Sequence, residues 1–304
     1  MRITINDYQM DFESIISSCI HETNAETKAD TLTLKLSDPN HEMHKLGINQ
    51  NDVIRIDNKT ISTGDMFIHR CQSDGDIYEI RAMSVPVSGT SKKSESWQRV
   101  HLMHILKQKA DEMGLELSCF GVDNVVYNFV SQDNETNMAF LLKLCERESY
   151  QIIVFNRHLI VYSEPSFESK TPSSTITIYD SDNYKYADQS YKMISTCNVS
   201  GGQYSASFRD ASVHSTNVLN MIETYVESDS QALRYAKSYL RSANKNARCG
   251  SFTYQLDGAY AAGSVVYLSK DGMADKKVML TKVRYDYVNE SMKVFFRDIF
   301  LEGY

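Results

Sequence analysis

The segment "TLTLKLS" at Thr31–Ser37 sets Leu32, Leu34 and Leu36 on one side of an extended chain and Thr31, Thr33 and Lys35 on the other. Such alternation fits a strand with one face in a core, because successive strand side chains point to opposite faces. "DVIRI" (Asp52–Ile56) and "GDMFIHR" (Gly64–Arg70) are further strand candidates, and Asp74-Gly75 in "SDGDIYEIRA" marks a hairpin turn. Short strands at this spacing give residues 1–87 the pattern of a small barrel or sandwich.

From Ser94 the period lengthens to that of a helix. In "SWQRVHLMHILKQKADEMGLEL", Leu102, Ile105, Leu106, Ala110 and Met113 form one stripe, with Ser96 as N-cap and Gly114 just past the end. Strands at "LELSCF" and "NVVYNFV" follow, so residues 88–165 read as an α/β connector. Residues 166–304 return to β, with long strands expected around Met193–Phe208 and Val213–Val226 and a helical insertion at about 227–248. In that insertion Ser228 and Gln231 have capping-box spacing, and Ala232, Leu233, Ala236, Leu240 and Ala243 form the apolar stripe. Lys237, Arg241 and Lys245 lie toward its C-terminus, where the helix dipole favours cations. The rhythm of "DVIRI…GDMFIHR…DIYEIRA" recurs in "SVVYL…KKVMLTKVRYDY…SMKVFFRD", which points to two similar β units around the connector. The expected class is α+β, mainly β.

A chain of 304 residues exceeds one typical domain. Its 42% hydrophobic and 23% charged residues suffice for real cores, and 4 Pro with 13 Gly leave little for long disordered linkers. A net charge of −7 argues against a protein built to grip nucleic acid by its phosphates. The N-terminal run shows no signal-peptide pattern and no segment is apolar enough for a membrane span. Cys19, Cys71, Cys119, Cys145, Cys197 and Cys249 are scattered without a CxxC pair, as expected of reduced, mostly buried thiols.

Each motif with reactive groups has a simpler structural reading. "HEMH" (His41–His44) has i, i+3 spacing in a loop after Pro39, not the i, i+4 spacing of two ligands on one helix face. His101 and His104 share a helix face but lack further ligands. "DSDNYKYAD" (Asp180–Asp188) opens like a calcium loop, yet Lys185 and Tyr191 stand where Gly and an acidic residue are required, which leaves an acidic turn. Gly201-Gly202 lies in a β region, so a turn or bulge suffices. No catalytic, cofactor-binding or metal-binding residue is expected, and no cofactor.

The run "SQDNETNMAFLLKLCERESYQIIVFNRHLIVYSE" (Ser131–Glu164) combines a polar cap at Asn134 or Thr136, a helical stripe of Met138, Leu141, Leu142 and Cys145, and a hairpin turning at Asn156-Arg157. Phe140 and Leu144 widen the stripe, as in a helix wedged between two layers, and Lys143, Glu146, Arg147 and Glu148 are expected in solvent. A buried Cys145 without an electropositive neighbour is inert.

This run also resembles the N-E-S-D-x-x-F-L-x-R-L-A pattern of the phage late control gene D family, the tail hub proteins related to the hub domains of VgrG. The match lies at Asn134, Glu135, Phe140, Leu141 and Leu144; Asn137 stands for the usual Asp and Lys143 for Arg. "ADTLTLKLSD", the Ser94–Leu117 helix, "ALRYAKSYL" and "GSFTYQLDGAYAAGSVVYL" are similar to family segments in the same order, so the resemblance spans nearly the whole chain.

The resemblance implies two tail-tube-like β-barrels joined by the connector. It further implies a non-enzymatic homotrimeric baseplate hub, adapting a sixfold tail tube to a threefold central spike and letting DNA pass without stable binding. The implied partners are the tail tube protein, the central spike protein and other baseplate and tape-measure proteins, in a virion tail or phage-like particle assembled in the bacterial cytoplasm. With the chain ending at Tyr304, the spike is expected on a separate polypeptide. A tail-associated cell-wall hydrolase and a β-rich glycan-binding module are the alternatives from other classes.

Overall fold

The computed structural model describes residues 1–26, 29–59 and 61–300. Strand makes up 48% against 20% helix, which places the chain in the mainly-β class. A 14-stranded sheet dominates. Its main path runs through 185–188, 248–255, 291–298, 276–286, 16–24, 31–37, 77–83, 66–74, 53–58, 2–5 and 8–10. Thr31–Ser37 buries Leu32, Leu34 and Leu36 as its alternation requires, and Gly75 turns the hairpin 66–83 with φ 54°.

The strand Lys276–Asp286 joins the two ends of the chain. Along its whole length it pairs with Ser291–Asp298 on one side. Its other edge is divided: Lys276–Met279 pair with 265–268, and Lys282–Asp286 pair with Asn24–Ile20. A bulge between Leu280 and Lys282 marks the change, and a bulge bends a strand and raises its twist. The expectation of two barrels is corrected here, because among the described residues no sheet closes into a barrel. The N- and C-terminal strands share one open sheet, and their inward side chains, from Leu34 and Ile80 to Phe252 and Phe296, share one core.

The connector carries a second core. Helix α1 (Leu102–Met113) buries Leu102, Ile105, Leu106, Ala110 and Met113 and ends at Gly114 with φ 69°. It starts later than its sequence suggests. Ser96 is not its cap, and His101 occupies that position at the end of a strand. Residues 92–101 pair antiparallel with 126–136, and there Trp97 and Glu95 turn inward while Ser94 and Ser96 face out, a period of two. Helix α2 (Asn137–Glu146) is capped by Thr136, whose Oγ1 accepts the Ala139 N–H at 3.1 Å. Phe140, Leu141, Leu144 and Cys145 are buried, whereas Met138 and Leu142 are half-buried along a 290 Å³ apolar groove. Asn156 and Arg157 both adopt positive φ (45° and 63°) and turn the hairpin between Tyr150–Phe155 and His158–Ser163.

The third core lies under helix α4 (Asp229–Asn244), which covers the three-stranded sheet Tyr204–Arg209, Thr196–Gly201 and Val218–Ile222. These strands replace the two long ones expected, because the chain turns back at Gly202, φ 60°. The buried face of α4 is also rotated from the apolar stripe: Leu233 and Ala243 are exposed, while Tyr235, Tyr239 and Arg241 are buried. Helix α3, defined here as Glu164–Ser169, has Pro165 in its first turn, where the missing N–H costs nothing.

Gly201 and Gly202 have different roles. A Cβ on Gly201 would lie 2.4 Å from the Glu223 carbonyl oxygen and 2.6 Å from Val226 Cγ2; at Gly202 the space is open and only the positive φ resists. Gly201→Ala is expected to cost about 1–3 kcal/mol by overpacking, and Gly202→Ala about 1 kcal/mol by left-handed strain. Urea unfolding midpoints of the two variants test the order.

Candidate functional site

Charged side chains meet in the interior of this chain rather than in a cleft. Glu164 at the start of α3 accepts hydrogen bonds from Arg297 Nη2 (2.9 Å), Lys245 Nζ (3.0 Å) and Arg241 Nε (3.2 Å). Glu168, one turn later, accepts from Arg297 Nη2 at 2.5 Å, lies 2.7 Å from Arg241 Nη2, and accepts the Phe300 N–H at 3.0 Å. Glu26 completes the group, 3.2 Å from Lys245 and 3.5 Å from Arg297. Three carboxylates thus face three cations, and Arg297 and Glu168 are fully buried. Burial alone would raise the Glu164 carboxyl, but Arg297, Lys245 and Arg241 outweigh it and hold it at about 2. Arg241 and Lys245, expected as solvated cations at a helix end, are instead the link between α4, α3 and the last strand of the sheet.

A second group holds α4 against the end of α2. Glu148, expected in solvent, is buried. It accepts from Tyr127 Oη at 2.8 Å and from Arg234 at 2.5 and 3.1 Å. Arg147 pairs with Glu223 at 2.8 Å, and Tyr239 donates to the same carboxylate. Ser238 Oγ accepts the Ser149 N–H at 2.8 Å and donates to the Glu146 carbonyl.

The third group joins α1 to α2. Lys109 is fully buried between Glu95 (2.9 Å) and Glu112 (3.2 Å), 5.0 Å from the Trp97 ring centroid. Asn137 donates to Glu112 at 3.0 Å and accepts from Gln132 at 3.1 Å. Burial would raise Glu112, but Lys93, Gln108, Lys109 and Asn137 hold it at about 2. The connector hairpin docks on the large sheet through Asp65, which Arg55 and Arg157 each approach to 2.6 Å. Gly64 fits there because a Cβ would lie 2.9 Å from Asn156 Cβ.

The motifs that looked reactive are placed apart and given structural partners. His41 and His44 flank a 3-10 turn ordered by Asp38, whose carboxylate accepts the Glu42 and Met43 N–H groups at 2.7 and 3.2 Å. His101 ends a strand while His104 lies on α1, so the two do not share a helix face. Asp180 pairs with Lys270 and Asp188 with Arg248, as an acidic turn between strands would. Among the described residues no group of three or more His, Cys, Asp or Glu could hold a metal ion. All six cysteines are free; burial drives the Cys145 thiol upward and pushes Cys19 up to about 12, helped by Asp286. Thiols so shifted are poor nucleophiles.

No protein-family profile and no curated protein matches the sequence. Solved structures do share the fold. The 43 kDa tail protein of prophage MuSo2 from Shewanella oneidensis superposes with a TM-score of 0.74 at 10% identity, covering 97% of each chain. A tail protein from Neisseria meningitidis gives 0.74 at 10% identity, over 98% of this chain and 95% of that one. The E. coli c3393 protein, a type VI secretion component structurally similar to the T4 bacteriophage tail proteins gp27 and gp5, gives 0.61 at 12% identity, over 100% and 79%. The chain therefore has a phage-tail protein fold along its whole length.

Removing one carboxylate from the Glu164 group leaves buried cations uncompensated, so Glu164→Gln is expected to cost ~3–5 kcal/mol. Lys59→Ala, at the exposed pair with Glu290, should cost under ~1 kcal/mol. Because Glu164 is held at about 2, below its ordinary 4.5, its contribution is complete above about 4.5 and is lost as pH falls toward 2. Burial raises Asp30 to about 7 against the hydrogen bond from the Asn24 N–H, so its contribution has the opposite sense and is lost as pH rises from 3.8 to 7. Chemical denaturation across pH should show the acid limb flattened in Glu164→Gln and the neutral limb flattened in Asp30→Asn.

Proposed function

We propose that this protein is the central hub of a phage or phage-like contractile tail, working by assembly rather than catalysis. The observation that carries the reading is the end-to-end match to tail proteins, 97% of both chains in one case. It agrees with the order of the gene D-like segments in the sequence. In this reading three copies form a ring, with residues 1–87 and 166–304 supplying the tube-facing β units and residues 88–165 fixing them relative to each other. The ring joins the tail tube to a separate central spike, contacts other baseplate and tape-measure proteins, and passes DNA through an opening that does not hold it.

Interior chemistry supports a structural role. Buried acids and bases are consumed in mutual pairing, so the rigidity of the chain, not the reactivity of a cleft, is what they supply. Solution mass and negative-stain imaging of the chain co-expressed with its tail tube and spike proteins test the proposal. Ring-shaped trimers are the expected outcome; a chain that stays monomeric and unbound in the presence of both partners would overturn it.

A further inference from the structure

The sheet beneath α4 is open at both edges. Val218–Ile222 pairs only with Thr196–Gly201, in parallel, and Tyr204–Arg209 pairs only with the same strand, antiparallel. Exposed edges invite pairing with other chains, and proteins usually blunt them with charge or brevity. This chain does so elsewhere. The edge at Lys185–Asp188 ends in two charges, the edge at Tyr8–Met10 is three residues long, and the ribbon strand Lys92–His101 carries Lys92 and Arg99. "VLNMI" at Val218–Ile222 has neither a charge nor a proline, and "YSASFR" has one charge at its end.

The layer under this sheet is also unfinished at both sides. Leu219 and Met221 at one edge, and Tyr204 and Ala206 at the other, are only half-buried against the α4 core. On the outer face Val218 is 50% exposed and Ile222 is 87% exposed. One sheet therefore offers two free, nearly uncharged edges of five and six residues, each lacking a neighbour of similar kind.

We propose that Val218–Ile222 of one copy pairs antiparallel with Tyr204–Arg209 of the next, so that the sheet continues from subunit to subunit. The direction follows from symmetry. Rotation about an axis along the strands preserves their sense, and within one copy these two strands already run opposite ways. A head-to-tail contact of this kind closes into a ring when the rotation permits. The inference rests on the hub reading for the existence of a ring and adds which edges join it.

Sedimentation velocity of the full chain over a concentration series tests the pairing. The wild type is expected to self-associate. The double variant Val218→Lys/Ile222→Lys, at two exposed positions, should weaken association by about tenfold or more, equivalent to ~1.4 kcal/mol. A double variant that associates as tightly as wild type overturns the pairing and leaves the ring standing. A wild-type chain that is monomeric at every concentration overturns both. Cysteine pairs, Asn220→Cys with either Ser205→Cys or Ser207→Cys, provide a check independent of the lysines: an interchain disulfide ladder supports the junction, and its absence in both pairs from associated material rejects it.

Discussion

The six-membered group of Glu26, Glu164, Glu168, Arg241, Lys245 and Arg297 is the point where the three cores of this protein are held in register. Hydrophobic burial stabilises each core but is non-directional, so it sets no angle between them. Buried ion pairs do, because each charge tolerates only geometries that keep it compensated. Here α3 supplies two carboxylates, α4 and its end supply two cations, and the last long strand of the sheet supplies the third cation. Moving any of these elements by the width of a side chain would strand a charge in the interior.

The same logic explains how one sheet accommodates both ends of the chain. Lys276–Asp286 divides its edge between a local partner, 265–268, and a remote one, Ile20–Asn24. The bulge at Leu280/Lys282 lets each half follow a different twist. Tyr162, at the end of the connector hairpin, donates its hydroxyl to the Ala25 carbonyl at 2.7 Å, just past the remote strand. The connector, the seam and the ionic group thus meet around the same short stretch of chain, near Glu26.

Local pattern made much of this legible in advance. Alternation located Leu32, Leu34 and Leu36; Thr136, Gly114 and Asn156-Arg157 marked a helix start, a helix end and a hairpin. What failed was whatever depends on distant partners. A strand at 92–101 was hidden because its pairing with 126–136 is remote and its apolar residues are few. The buried face of α4 was misjudged because Tyr235, Tyr239 and Arg241 are polar-ended side chains that only a neighbouring element can satisfy. Sheet closure was beyond the reach of pattern for the same reason: whether 276–286 meets 16–24 or a strand of its own unit is decided by register across some 260 residues. The candidate chemistry was legible mainly as absence, since spacing was enough to discount the histidine and acidic motifs. Glu164 and Glu168 carried no signal beyond a Pro165 that starts a short helix.

An enzyme and an assembly protein make different use of ionisable groups. An enzyme keeps a few of them unpaired or only partly paired in a cleft, with affinities for protons tuned near working pH. In this chain the strongest shifts go the other way: Glu112 and Glu164 are locked as anions, and the buried thiols are locked as neutral groups. Groups locked this firmly transfer no protons, but they make the relative placement of helices and sheet nearly invariant. A protein that must present strand edges to neighbours at fixed angles needs that invariance, because an edge joins another only when both backbones arrive already extended and in register. Rigidity inside and open edges outside are then two requirements of one task.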